Sequence, residues 1–175
     1  LYYQYSGLAS FTEPPFAEGS MEAILQKICG LVSYNDEAAA ASDYDMNAWG
    51  IIWVFDDDPE TKVVCEGYAK AFQYLCDLTF QNQEGRPSSS LVSGKMDGGD
   101  HMWNVVAIGG RNYLVDVTNC DTGSIGAPDQ LFLCGAAENV VGKQYTVTLW
   151  KTIVYEYDEK TVESYAPEPL KLSPV

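Results

Sequence analysis

The sequence is poor in positive charge and holds a single histidine, His101. Lys and Arg total 10 against 25 Asp and Glu, for a formal net charge of −15. Cations this scarce exclude the phosphate-neutralising surface that nucleic-acid binding requires. They equally exclude attraction to an anionic membrane surface. The acidity itself reads as a soluble, solvated exterior. No apolar run is long enough to span a bilayer and no basic-then-apolar leader is present, so membrane insertion is not expected. The cysteines, Cys29, Cys65, Cys76, Cys120 and Cys134, are odd in number and form no C-x-x-C pair. Neither a disulfide framework nor a structural zinc site is expected, and at least one thiol is free or paired outside the chain. Asp56-Asp57-Asp58-Pro59 lacks calcium-loop spacing and reads as a solvated acidic turn. No metal and no cofactor are expected. The chain starts at Leu1 rather than Met. It therefore reads as an excised or processed piece, with room for further domains upstream of residue 1. The compartment stays open, with an extracellular or cell-surface setting favoured over cytoplasm.

What is present suits a packed domain: 175 residues, 46% hydrophobic and 13% aromatic. Residues 1–19, rich in Tyr, Pro and Ser, read as an N-terminal arm, and 20–175 as one domain. Ser20 is the expected cap of a helix to about Val32, with Met21, Ile24, Leu25, Ile28 and Leu31 as its apolar stripe. A short helix is expected over Asp36–Ala41, a loop over Asp43–Trp49, and a short apolar run over Gly50–Phe55. Tyr68, Phe72, Leu75 and Cys76 fall on one face of a helix that begins close to Cys65. Gln83–Ser90 reads as loop and Leu91–Val92 as a strand fragment. Met102–Ile108 and Tyr113–Thr118 flank Gly109-Gly110, a hairpin signal. Tyr145–Tyr157 reads as one or two strands, and Asp158-Glu159-Lys160 as a turn into a last extended segment. No internal repeat is visible.

Cys65 is the residue whose placement suggests chemistry. Unpaired N–H groups and the helix dipole at a helix start favour a thiolate, and the same N–H groups can bind an oxyanion beside the sulfur. Any histidine-dependent chemistry must use His101. With a two-residue turn at Gly109-Gly110, Ile108 faces Arg111, Trp103 faces Asp116 and His101 faces Thr118. His101, Trp103 and Asp116 then share one face of the sheet, with Asp116 diagonal to His101 and within side-chain reach. A carboxylate inside Leu114-Val115-Asp116-Val117 runs against strand preference, and a half-buried Asp needs a partner. Cys65, His101 and Asp116 thus form a candidate catalytic set: nucleophile, proton carrier and imidazole-orienting carboxylate.

Three segments resemble the transglutaminase-like superfamily in its bacterial form. They are Val64-Cys65-Glu66-Gly67-Tyr68-Ala69-Lys70-Ala71-Phe72, His101-Met102-Trp103-Asn104-Val105-Val106 and Tyr113-Leu114-Val115-Asp116-Val117-Thr118, in the superfamily's order of Cys, His and Asp. The resemblance covers roughly Ser20 to Leu133, and Met102 departs from the family's frequent Ala. It implies an α+β, papain-like core with the nucleophile helix packed on an antiparallel sheet. It implies cysteine-dependent acyl transfer, with a peptide or protein as substrate. A peptidase or amidase is the leading expectation. The alternatives are a protein-cross-linking transglutaminase and a non-catalytic binding module, for which Tyr2, Tyr3 and Tyr5 offer an attachment surface. Trp49 and Trp103 are the substrate-binding candidates, and Trp49 is also the candidate oxyanion partner.

Overall fold

The computed structural model describes residues 17–42, 49–164 and 170–174. The chain runs α1 (Ala17–Cys29), β1 (Ser33–Tyr34), α2 (Asp36–Ala40), α3 (Trp49–Val54), β2 (Lys62–Val63) and α4 (Cys65–Phe80). It continues β3 (Ser88–Met96), β4 (Gly99–Ile108), β5 (Arg111–Val115), α5 (Val117–Cys120) and β6 (Phe132–Cys134). It closes with β7 (Glu138–Val140), β8 (Gln144–Thr148), β9 (Thr152–Tyr157) and α6 (Glu159–Ser164). The class is α+β. Seven strands pair antiparallel in the order β6-β5-β4-β3-β9-β8-β7, and β1 and β2 form a separate parallel pair. No helix among the described residues is long and apolar enough to cross a membrane.

The apolar stripes meet in one core. Met21, Ile24, Leu25 and Ile28 of α1 and Tyr68, Phe72, Leu75 and Phe80 of α4 are fully enclosed, together with Val92, Val105 and Val106 of the sheet. Each large side chain buried this way contributes about 1.5–3 kcal/mol. Asn104 ties the layers together: its Nδ2 donates to the Ala69 carbonyl of α4 at 3.1 Å and to Ser89 Oγ of β3 at 3.1 Å.

Several expectations need correction. Ser20 lies inside α1, which already includes Ala17–Gly19, rather than at its start; the rest of the arm, 1–16, and the loop over 43–48 lie outside the described residues. Gly50–Phe55 belongs largely to α3, a helix. Ser88–Met96 is a full strand rather than loop plus fragment, because it is paired on both sides, by β4 and by β9. The β4–β5 register is the expected one, Ile108 facing Arg111, but the ladder stops at Asn104 facing Val115. Asp116 Oδ1 accepts from the Asn119 amide at 3.2 Å and caps α5, so the chain turns helical before Thr118 can face His101. Glu159–Ser164 is helix α6, entered through Asp158 Oδ1 accepting from the Thr161 amide at 2.7 Å.

Candidate active site

α4 starts at Cys65 because Val64 is still extended, at φ −94° and ψ −179°, and supplies no side-chain cap. The Gly67 amide donates to the Val64 carbonyl at 2.9 Å, and no side chain caps the amides before it, which leaves those able to face an oxyanion. Gly67 sets how closely this turn packs. A Cβ there would lie 2.8 Å from Val63 Cβ and 3.2 Å from the Gly50 carbonyl oxygen. Its absence lets the Cys65 turn sit directly against β2 and α3. Cys65 is half-buried. The other thiols are held protonated chiefly by burial: Cys29, Cys76 and Cys120 are all pushed up, and Cys134 rises to about 11 from burial and the Asp116 charge.

His101 stands near the start of β4, with Asp116 just past the end of β5. Its Nε2 lies 2.8 Å from Asp116 Oδ2, and with a carboxylate as acceptor Nε2 carries the proton. Cys65 lines the same cleft as His101 and favours its charged form; with Nε2 given to Asp116, the ring nitrogen left to face a thiol is Nδ1. Burial works against the imidazolium. The Asp116 charge, its hydrogen bond and the neighbouring Cys65 outweigh it, and the pKa rises from 6.5 to about 10. Burial alone would raise the Asp116 pKa too. The charge and hydrogen bond of His101, with hydrogen bonds from Asn119 and Tyr155, outweigh it and hold the carboxyl below its ordinary value.

Asp116 is fully buried, and three side chains converge on its Oδ2. Besides His101 these are Tyr155, whose hydroxyl donates at 2.8 Å, and Asn119, whose Nδ2 donates at 2.8 Å. Behind the imidazole, the Trp103 ring lies stacked at 6.0 Å and 19°, and itself packs edge-on against Tyr155 at 5.0 Å. Rotation of His101 is thus restricted on one side by a carboxylate held by three donors and on another by a rigid indole.

Two clefts meet at His101, sharing Tyr34 and Asp100 on their walls. One, of about 600 Å³, holds Cys65 together with Val64, Ala38, Ala39, Met102 and Tyr157. The other, of about 480 Å³, is polar and includes Asp36, Asn119, Thr122 and Ser124. Pairing of β1 with β2 brings Tyr34 beside the start of α4, and Asn35 caps α2 by accepting from the Ala38 amide at 2.9 Å.

The structure brings Cys65, His101 and Asp116 together. Trp103, expected as a substrate-binding candidate, is fully buried and backs the imidazole instead of lining a cleft. Trp49 opens α3, but its side chain lies outside the described residues. Sequence reasoning missed Asn119 and Tyr155. For Asn119 the signal was available, since Asp116-x-x-Asn119 has the spacing of a helix cap; nothing local distinguishes Tyr155 from its aromatic neighbours. Among the described residues, no three His, Cys, Asp or Glu side chains are grouped so as to hold a metal ion. Compared with known proteins, the chain matches no family model and no curated protein.

Proposed function

We propose that this chain is a cysteine-dependent acyl-transfer enzyme of the transglutaminase-like, papain-like kind, acting on peptide or protein amides and passing the acyl group chiefly to water. The observation that carries the reading is His101, placed between Cys65 and a buried Asp116 where two clefts meet. His101 takes the Cys65 proton. The sulfur adds to the carbonyl carbon, and first-turn amides of α4 receive the developing oxyanion. Collapse breaks the C–N bond as His101 delivers its proton to the leaving amine, leaving a thioester on Cys65. His101 then takes a proton from water, hydroxide adds to the thioester, and the carboxylic acid leaves as the thiol is restored. Asp116 is the positioning residue: it fixes the ring and stabilises its charged form without exchanging protons itself.

The test is turnover of a mixed peptide pool, read by mass spectrometry for new termini and by ammonia release with and without added amine. Cys65→Ala and His101→Ala are each expected to lose at least about a hundredfold in rate. Ammonia release accompanied by amine incorporation in place of hydrolysis would move the reading to a cross-linking transferase. Turnover unchanged in Cys65→Ala would overturn it.

A further inference from the structure

The two clefts stand differently to the sulfur. His101 is on both walls, whereas Cys65 is on the wall of the larger cleft and not on that of the polar one. In acyl transfer the acyl group stays on the thiol, and the imidazole hands its proton to the departing nitrogen. A space that reaches the imidazole without reaching the thiol suits what lies beyond that nitrogen.

Among the described residues, the polar wall carries Asp36 and Asp100 and neither Lys nor Arg. Asn35, not Asp36, caps α2, and the Asp36 carboxylate forms no ion pair among the described residues. Asp100 is paired with Lys95 at 2.9 Å. Lys95 lines the Cys65 cleft, where Glu156 and Asp158 also stand. The His101 charge is matched by Asp116. Carboxylates thus outnumber ammonium groups around both clefts, in a chain whose net charge of −15 draws cations from a distance. An anionic side chain is repelled from the polar cleft. An aliphatic one meets carboxylates and the hydroxyl-bearing Thr122 and Ser124. A neutral amide can hydrogen-bond there but gains nothing from the Asp36 charge. A Lys or Arg side chain gains both.

We propose that the polar cleft is a leaving-side subsite for a basic residue, a Lys or Arg within the first two positions after the bond that is broken. This rests on the acyl-transfer reading, and the experiment separates the two. p-Nitrophenyl acetate acylates Cys65 of the full chain with a group too small to select, releasing nitrophenolate. The acetyl thioester is then divided between water and an added dipeptide amide, Gly-Xaa or Xaa-Gly, with Arg, Lys, Gln, Leu or Glu as Xaa. At about pH 8 roughly half of the α-amines are neutral. The amine adds to the thioester carbonyl, the C–S bond breaks, and the amine proton passes through His101 to the thiolate. The ratio of acetyl-peptide to acetate therefore reads the leaving side alone. In one of the two series, capture of the Arg and Lys peptides is expected to exceed that of Gln and Leu by about three- to tenfold, with Glu last. Salt at about 0.5 M should remove most of this preference. Asp36→Asn, a change on an exposed residue, should lower it. Equal capture, no capture, preference for a non-basic peptide, or a basic preference indifferent to both salt and Asp36→Asn would overturn the subsite alone, provided nitrophenolate release is intact. Nitrophenolate release no greater than that of Cys65→Ala would overturn both readings.

Discussion

His101 is the chain's only imidazole, so a single NMR signal reports the state of the site. Replacing Asp116 by Asn keeps the side-chain volume but removes the charge that holds the imidazolium. The His101 pKa is then expected to fall by about 1–3 units, read from the ring-proton titration; an unchanged titration would show that the two residues do not interact. Stability should follow. The His101 pKa is raised on folding, so its contribution is whole below its ordinary 6.5 and is lost as pH rises through about 10. The Asp116 pKa is lowered, so its contribution is present above the ordinary carboxylate range and is lost as pH falls below it. The urea midpoint of the wild type is expected to drop between about pH 7 and pH 10, and that of Asp116→Asn to drop less. Tyr155→Phe removes one donor to a fully buried carboxylate and should cost about 1–3 kcal/mol in urea unfolding. The His101–Asp116 pairing was legible because register counting around Gly109-Gly110 needs only the turn length. The donors behind Asp116 were less so: Tyr155 reaches it across β9, a distance of 39 residues in sequence.

At the scale of elements, α4 was readable because its face repeats cleanly and its start coincides with Cys65. Strand β3 was not, since Ser88-Ser89-Ser90-Leu91-Val92-Ser93-Gly94 has little β preference and owes its form to the strands on either side. The Asp97-Gly98 turn that pins it to β4, with φ of 50° and 88°, was a local hairpin signal left unused. The end of β5 was misplaced for a physical reason: strand preference continues into Val117, but the Asp116 carboxylate competes for the Asn119 amide and starts a helix. The packing of α4 against β2 leads to a further expectation. Gly67→Ala places a methyl 2.8 Å from Val63 Cβ. It should cost about 1–3 kcal/mol in urea unfolding. It should also slow Cys65 alkylation, since any relaxation displaces the first turn; an alanine variant of wild-type stability and reactivity would show that the turn has room to spare.

At the scale of the whole molecule, the change of period between α4 and β4 and the β4–β5 hairpin were legible in the sequence, while the α+β class and the antiparallel sheet were expected from the family resemblance. The clefts were not, because Tyr34, Asp36, Asp100 and Tyr157 come from segments far apart in sequence and meet only through the β1–β2 and β3–β9 pairings. Their convergence on His101 puts one thiol out of five beside the imidazole, while burial pushes the other four upward in pKa. That contrast is open to direct measurement in the native protein without knowledge of a substrate. Limited iodoacetamide at neutral pH, followed by peptide mapping, should label Cys65 first, and His101→Ala should slow that labelling by about tenfold or more. Labelling of Cys29 or Cys134 ahead of Cys65, or a Cys65 rate indifferent to the loss of His101, would contradict the account.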